Sequence, residues 1–219
     1  MAPFVVHSIP GSPFGRSVLM ALEEKHAKYR FQAVAPAAMK SEPHLSRHPF
    51  GRVPALDHWD LALYETQAIL RYLDRVLVEP RLTPSEPAAA ARMDQVMNIN
   101  DWYLFQGVGN VIGFQRVVRP RLLGQPTEEA AIAAAMPRAH AVFDELARLL
   151  GGQNYFAGSA ISLADLMVAP QMDFLAALPE WEPLTAAHQD LRTWLKRMNA
   201  RPSMQATTWE RVVEMAKAA

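Results

Sequence analysis

A hydroxyl group and a helix start meet at Gly11-Ser12-Pro13-Phe14, directly after an apolar run, 4–7, that predicts a strand. Ser12 can cap the helix, and Pro13 suits the first helical position. The amino end of a helix stabilises an anion because it carries unpaired amide donors and the positive end of the helix dipole. A ligand thiol held beside the hydroxyl would lose its proton more readily. Taken alone, the fragment allows two interpretations, a structural cap and thiol activation.

Two further segments place ligand-binding groups beside predicted strands. Arg52-Val53-Pro54 opens a strand, and a cis Val53-Pro54 bond would expose the Val53 backbone to a ligand that pairs with it as an added strand. Only about 5% of X-Pro bonds are cis, so the pattern alone does not predict one. At the next strand-to-helix junction, Glu65 could bind a ligand ammonium and Thr66 a carboxylate, or both could simply cap the helix.

The segment from Ile161 to Leu166 has the pattern of a capping box. Ser162 and Asp165 would each accept from the other's backbone amide, and Ile161 could pack on Leu166. We interpret this pair as structural.

Other kinds of site find little support in the sequence. The seven histidines show no metal-binding spacing on a helix, since His44 and His48 are four apart but lie in a turn-rich segment. The phosphate-loop, dinucleotide-binding and nucleophile-elbow motifs are missing. Because the chain has no cysteine, disulfides, thiolate metal sites and a catalytic protein thiol are excluded. We expect no metal.

Alternating elements in the first eighty residues must position these groups. Strands are predicted at 4–7, 29–34, 55–56 and 61–63, with helices over 14–25 and from Glu65 onward and an irregular helix between the second and third strands. This order predicts a small mixed sheet flanked by helices. Prolines at 80, 84 and 87 then predict a linker.

The remainder of the chain shows helical periodicity and no convincing strand. Apolar residues share helical faces in three stretches, around 93–104, 139–150 and 191–198, which predicts a helical bundle. Pro137 should kink one of these helices unless the helix begins there. The aromatic residues Trp102, Tyr103, Phe105 and Phe114 could belong to the core or to a pocket wall.

Length and composition exclude several classes of protein. The 219 residues suit one large or two small domains, and half of them are apolar. Because 22 basic residues balance 22 acidic ones, the chain has no global attraction for nucleic acid or anionic lipid. Apolar runs fall short of the roughly 18 residues that span a membrane, and no signal-peptide pattern opens the sequence. We expect a cytoplasmic protein that binds neither nucleic acid nor membrane.

These segments together resemble the cytosolic glutathione transferases over essentially the whole chain. The stretch from Ser12 to Lys25 is similar to the first loop and helix of the serine-type classes. Lys40-Ser41, the run 48–56 and the run 63–69 match the glutathione-site signature of the family with the right spacing. The capping box and the run 198–203 match its helical domain. The resemblance is strongest to the plant-type serine classes, phi and tau, and their bacterial relatives.

The resemblance implies an α+β protein with a thioredoxin-like domain (βαβαββα) at 1–78, a linker at 79–87 and an all-helical domain at 88–219. Ser12 would take the position of the thiol-activating serine. The implied glutathione-binding residues are Phe14, Lys40, Arg52, Val53, Pro54, Glu65 and Thr66. The implied electrophile-pocket residues are Trp102, Tyr103, Gln106 and Phe114. The family is usually homodimeric.

The activity that the resemblance implies is conjugation of the glutathione thiolate to a small hydrophobic electrophile. Glutathione is the co-substrate, and the hydroxyl of Ser12 would donate to its thiolate without acting as a nucleophile. Lack of cysteine excludes the cysteine-type classes of the family. The alternatives are a glutathione-binding carrier with little turnover, and a glutathione-dependent isomerase, peroxidase or dehalogenase.

Overall fold

The computed structural model describes residues 4–218, which divide into two units. The first unit takes the residues up to Thr83 together with the segment from Ala200 onward, and the second takes Pro84–Asn199. This division differs from the predicted one, because the predicted helical domain included everything after residue 87. The predicted linker at 79–87 does contain the boundary.

The sheet of the first unit is mixed, as the sequence predicted. Its strands are β1 (Phe4–Ser8), β2 (Tyr29–Ala33), β3 (Ala55–His58) and β4 (Leu61–Tyr64). In the described residues the order is β2-β1-β3-β4, with β1 and β2 parallel and the other two pairs antiparallel. Apolar side chains on β1 form part of the core, where Phe4 and Val6 are buried.

Helices cover the sheet of the first unit. They are α1 (Pro13–Glu24), a 3₁₀ turn (Pro36–Lys40), α2 (His44–Arg47), α3 (Thr66–Val76), α10 (Pro202–Ala206) and α11 (Trp209–Ala218). The predicted face of α1 is buried at Val18, Ala21 and Leu22. The predicted face of α3 is buried at Ile69 and Leu73.

Residues just before the boundary pack on the first unit and do not form a free linker. The ammonium group of Lys25 is buried and donates to the carbonyl oxygens of Leu77 and Pro80, each at 2.6 Å. It also pairs with Asp74, whose carboxylate accepts from the backbone amide of Leu82 at 3.0 Å. Because a buried ammonium needs such partners, these bonds extend the first unit to Thr83.

The C-terminal segment is attached to α1. Arg201 donates to both carboxylate oxygens of Glu24, at 2.8 and 2.7 Å, and Arg16 donates to the carbonyl oxygen of Met204 at 3.0 Å. These partners lie more than 170 residues apart in sequence. Helical periodicity predicts the helices here correctly but carries no information about which unit they pack on.

The second unit is helical throughout. Its helices are α4 (Pro87–Ile99), a π-helix (Asn100–Val118), α5 (Arg119–Leu122), α6 (Glu129–Leu150), α7 (Leu163–Ala176), α8 (Trp181–Thr185) and α9 (Gln189–Asn199). The predicted helical faces are buried, for example at Val96, Phe143 and Trp194. Pro137 lies inside α6, so that helix does not begin there.

Candidate active site

Two helix starts and one strand start lie at the same end of the sheet. In the strand register, His7 on β1 faces Ala55 on β3, and Ala55 faces Tyr64 on β4. The residues that flank these strand ends, Pro54 before β3 and Glu65 after β4, therefore leave the sheet at the same end. Helix α1 follows β1 and helix α3 follows β4, so both helices present their amino ends near this edge.

Ser12 occupies the N-cap position of α1. Its Oγ accepts a hydrogen bond from the backbone amide of Gly15 at 3.2 Å, and its own amide donates to Ile9 at 3.0 Å. The side chain is half-buried. A capping oxygen acts as an acceptor, so the hydroxyl proton remains able to donate to a ligand. The two interpretations that the sequence left open are therefore compatible.

Two other serines near Ser12 are buried. Ser17 donates to the carbonyl oxygen of Pro13 at 3.0 Å, one turn back in the same helix. Ser8 ends β1, and its Oγ has no hydrogen-bond partner among residues 4–218. Both residues are 0% exposed. Of the three hydroxyls, that of Ser12 is the one that solvent or a ligand can reach.

The loop before β3 brings Lys40 and Arg52 to this side of the unit. Lys40 ends the 3₁₀ turn, and its ammonium group donates to the carbonyl oxygen of Phe50 at 2.9 Å. Arg52 is exposed, and its carbonyl oxygen accepts from His44 Nε2 at 2.7 Å. The Val53-Pro54 bond is cis, although the sequence pattern alone did not predict it.

His44 and His48 support this loop. His48 is buried, and its ring centroid lies 4.9 Å from that of Tyr64. Burial lowers the pKa of His48, and the negative charge of Glu65 opposes this shift only in part. The ring is therefore neutral at pH 7. Apart from the place of His48 in the run 48–56, the sequence indicated no role for either histidine, because their partners are the backbone of Arg52 and the ring of Tyr64 on β4.

Glu65 has a strained backbone. Its φ is +68°, in the left-handed region that side chains other than glycine seldom adopt. The side chain is exposed and makes no capping hydrogen bond to α3. Thr66, the first residue of α3, is buried. The capping alternative is therefore wrong for Glu65, and strain of this kind is concentrated at functional sites.

Trp209 packs against Gly11, the residue before Ser12, and the sequence did not indicate this contact. Gly11, directly before Ser12, has a φ of +87°, and a Cβ built on it would overlap the indole ring of Trp209. Trp209 begins α11 and is 59% exposed. Because the contact joins residues almost 200 positions apart, no local pattern could have identified it.

The four predicted electrophile-pocket residues lie on the π-helix of the second unit. Trp102, Tyr103 and Phe114 are 66%, 51% and 37% exposed, and Gln106 is exposed too. Trp102, Gln106 and Phe114 recur at multiples of four residues, which places them on one face of a wide helix. Arg138 of α6 lies 6.0 Å from the ring centroid of Tyr103. This face has the aromatic character that an apolar ligand would require.

Residues 4–218 contain neither a membrane span nor a metal-binding cluster. No helix in this range is long and apolar enough to cross a membrane. In the same range, groups of three or more histidine, aspartate or glutamate side chains able to hold a metal do not occur.

A thioredoxin-like sheet unit whose helix starts converge at one edge, followed by a helical bundle, defines the glutathione transferase fold. The family model for the glutathione S-transferase N-terminal domain matches residues 2–75, and that for the C-terminal domain matches residues 112–202. The chain therefore belongs to the glutathione S-transferase family and is a transferase of its plant-type class.

Individual relatives and structures agree with this assignment. The chain is 29% identical over 213 residues to a glutathione S-transferase of Hyoscyamus muticus, covering 95% of this chain and 97% of the relative. It is 31% identical over 187 residues to glutathione S-transferase 1 of Zea mays, covering 84% and 86%. The structure of a glutathione S-transferase-I bound with lactoylglutathione superimposes with a TM-score of 0.82, at 28% identity and 100% coverage of both chains.

Proposed function

We propose that this transferase conjugates glutathione to hydrophobic electrophiles and that Ser12 activates the thiol. The observation that carries the proposal is the half-buried Ser12 hydroxyl at the N-cap of α1, whose oxygen accepts from Gly15 while its proton stays available. The thiol of bound glutathione would lose its proton to solvent, and the resulting thiolate would accept a hydrogen bond from the Ser12 hydroxyl. The thiolate then attacks the electrophilic carbon, and the leaving group departs with the electron pair.

The hydrogen bond from Ser12 and the start of α1 together supply enough stabilisation to ionise the thiol. Lowering the pKa of a thiol by two units requires about 2.7 kcal/mol of preferential stabilisation of the thiolate. One hydrogen bond to a charged group contributes about 1.5 to 3 kcal/mol, and a helix amino end about 0.3 to 1 kcal/mol. Ser12 together with the start of α1 can therefore ionise the thiol near neutral pH.

The remaining groups of glutathione have complementary partners at the same edge of the sheet. We propose that the glycine carboxylate binds near the cations of Lys40 and Arg52, and that the cysteinyl unit pairs with the backbone of Val53 before Pro54. Glu65 would bind the γ-glutamyl ammonium. The start of α3 at Thr66 would bind the γ-glutamyl carboxylate.

Phe14 and the exposed face of the π-helix complete the proposal. Phe14 is the second residue of α1, two positions after Ser12, and is half-buried. Its ring would contact glutathione. We propose that the electrophile binds against Trp102, Tyr103, Gln106 and Phe114. Aromatic side chains that are exposed in the second unit would thereby become covered when the apolar substrate binds.

A homodimer and a cytoplasmic location are also part of this proposal. Large apolar side chains of the first unit are exposed, with Phe50 at 63%, Trp59 at 69% and Val78 at 63%. Exposed apolar side chains mark a protein interface where they form a contiguous patch. A second copy of the chain would remove them from water.

The test is the substitution Ser12→Ala. We expect the conjugation rate with a model aryl halide to fall about tenfold or more, because one hydrogen bond to the thiolate is lost. Glutathione affinity should stay within a few-fold, since the other contacts remain. Thiolate absorbance on adding glutathione near pH 7 should appear in the parent protein and weaken in the variant.

Ser17→Ala is the matched control, because that hydroxyl is buried and bonded within its own helix. Wild-type turnover in Ser12→Ala would contradict the assignment. Thiolate absorbance in the parent without turnover on any electrophile would instead indicate a carrier. A panel of isomerase, peroxidase and dehalogenase substrates, with glutathione added and omitted, separates the other activities.

A further inference from the structure

The end of β1 and the first turn of α1 meet at Ser8 and Gly15. A Cβ built on Gly15 would overlap Ser8 Oγ and would stand 2.8 Å from Ser8 Cβ. Real Cβ atoms are not found this close to another carbon, so any side chain at residue 15 requires one of the two elements to move. The contact is buried, since Ser8 is 0% exposed.

The strand side of this contact is fixed. Ser8 pairs with Ala33 of β2, and its carbonyl oxygen accepts from the amide of Val34 at 2.9 Å. Rotation about χ1 could move Ser8 Oγ away, but Ser8 Cβ is held by the strand backbone. The first turn of α1 would therefore be the element that moves.

Gly15 is also hydrogen-bonded to the hydroxyl that is proposed to activate the thiol. The backbone amide of Gly15 donates to Ser12 Oγ at 3.2 Å, and this bond fixes one lone pair of the oxygen. A shift of residue 15 away from β1 would lengthen or misalign that bond and would move Ser12 with the turn. Hydrogen bonds weaken steeply as their geometry departs from linear, so a small displacement suffices.

We infer that Gly15 is a positioning residue for Ser12. Its missing side chain lets α1 approach β1 closely, and its amide orients the hydroxyl toward the thiol. This inference rests on the proposed function, because it concerns the hydroxyl that is proposed to stabilise the thiolate. Gly15 would thus influence the pKa of the bound thiol, although it is not one of the proposed glutathione contacts.

The experiment measures the pKa of the glutathione thiol bound to each protein, from thiolate absorbance as a function of pH. We expect Gly15→Ala to raise that pKa by about one unit, which is a tenfold loss of thiolate below the pKa. The pH profile of kcat/KM for an aryl halide should shift by the same amount. A generally loosened protein would lose activity without this shift.

Removing the opposing atoms should rescue the variant in graded fashion. In the Gly15→Ala background, Ser8→Gly removes both Oγ and Cβ and should restore the parent pKa. Ser8→Ala leaves its Cβ 2.8 Å from the new methyl group and should restore it only in part. Ser8→Gly alone supplies the baseline for this double-mutant cycle.

Gly109→Ala is the matched control, because a Cβ there meets its nearest neighbour at an ordinary 3.5 Å. If Gly15→Ala does not fold, Ser8→Thr adds a methyl group to the same contact from the strand side, with the same expected rise. An unchanged thiol pKa in these variants, or no rescue by Ser8→Gly, would overturn the inference. If Ser12→Ala also leaves the thiol pKa unchanged, the proposed function itself fails.

Discussion

At the scale of single residues, Glu65 combines a strained backbone with a proposed role in binding the γ-glutamyl ammonium. Its positive φ costs on the order of 1 to 3 kcal/mol for a residue with a side chain. The exposed carboxylate makes no capping bond that would offset this cost. Glycine would adopt this φ without strain, and the proposed role in binding glutathione would account for a glutamate at this position.

We predict that Glu65→Gly separates folding from binding. The variant should be more stable by about 1 kcal/mol, because glycine adopts a positive φ without a steric penalty. The KM for glutathione should rise, since the proposed partner of the γ-glutamyl ammonium is gone. Urea denaturation and glutathione-dependent kinetics measure the two effects.

Glu65→Ala is the companion variant, since it removes the carboxylate but keeps a Cβ at the strained position. It should raise KM as Glu65→Gly does, with no gain in stability. Unchanged KM in both variants would remove Glu65 from the proposed glutathione site.

At the scale of elements, the start of α7 is organised by one buried carboxylate. Asp165 accepts from the amide of Ser162 at 2.9 Å, which confirms the predicted capping box. It also accepts from the amide of Phe156 at 3.1 Å and from the indole of Trp194, on α9, at 2.9 Å. Burial raises the pKa of Asp165, although these hydrogen bonds favour its charged form. The carboxylate therefore joins three segments of the second unit.

Asp165→Ala should lower the free energy of unfolding by about 3 kcal/mol or more. The substitution leaves buried donors on Phe156, Ser162 and Trp194 without their acceptor, and each such group costs about 1 to 3 kcal/mol. Urea denaturation followed by far-ultraviolet circular dichroism measures the change. Asp190→Ala, at an exposed position of α9, should change it by less than about 1 kcal/mol. Equal effects of the two substitutions would refute the buried-acceptor explanation.

At the scale of the whole molecule, the chain passes through the helical unit and returns to the sheet unit. The bond between Arg201 and Glu24 secures that return, and Ser203 also donates to Glu24. Burial raises the pKa of Glu24, but the hydrogen bonds from Arg201 and Ser203 and the charge of Arg201 outweigh it. The pKa therefore lies below its ordinary value. Folding thus favours the charged form of this carboxyl.

This shift predicts a contribution of Glu24 to acid sensitivity. Because the pKa of Glu24 is lower in the folded state, its ionised carboxylate adds to the free energy of unfolding. This stabilisation is fully present above the pKa of an unfolded glutamate, about 4.3, and is lost as pH falls through the folded-state pKa. Unfolding free energies from urea titrations at pH 7 and in steps from pH 5 to 3 should show it. The difference between the parent and Glu24→Gln should be largest at pH 7 and should shrink toward pH 3.

Glu210→Gln provides the comparison, because Glu210 is exposed on α11 of the same C-terminal segment. Its difference from the parent should be small at every pH. A difference for Glu24→Gln that does not vary with pH would show that Glu24 acts through packing alone.

The sequence by itself determined the features that depend on neighbours along the chain. The strands, most helices, the cap at Ser12 and the box at Ser162 follow from periodicity and local hydrogen bonding, which act over a few residues. The residues of the proposed glutathione site also lie in short runs at the ends of consecutive elements, so the pattern behind that proposal is visible in the sequence. The wide helix over 100–118 was predicted only as a helix, since its hydrogen-bond type depends on packing.

Only the tertiary structure decided which distant residues meet. It placed the segment from Ala200 onward on α1, Trp209 against Gly11, and Ser8 against Gly15. It also left one reachable hydroxyl of the three near the start of α1, because Ser8 and Ser17 are buried. These facts depend on side-chain volumes brought together by the sheet and the returning C-terminal segment. Local sequence patterns cannot predict these contacts, because the partners lie far apart along the chain or in different elements.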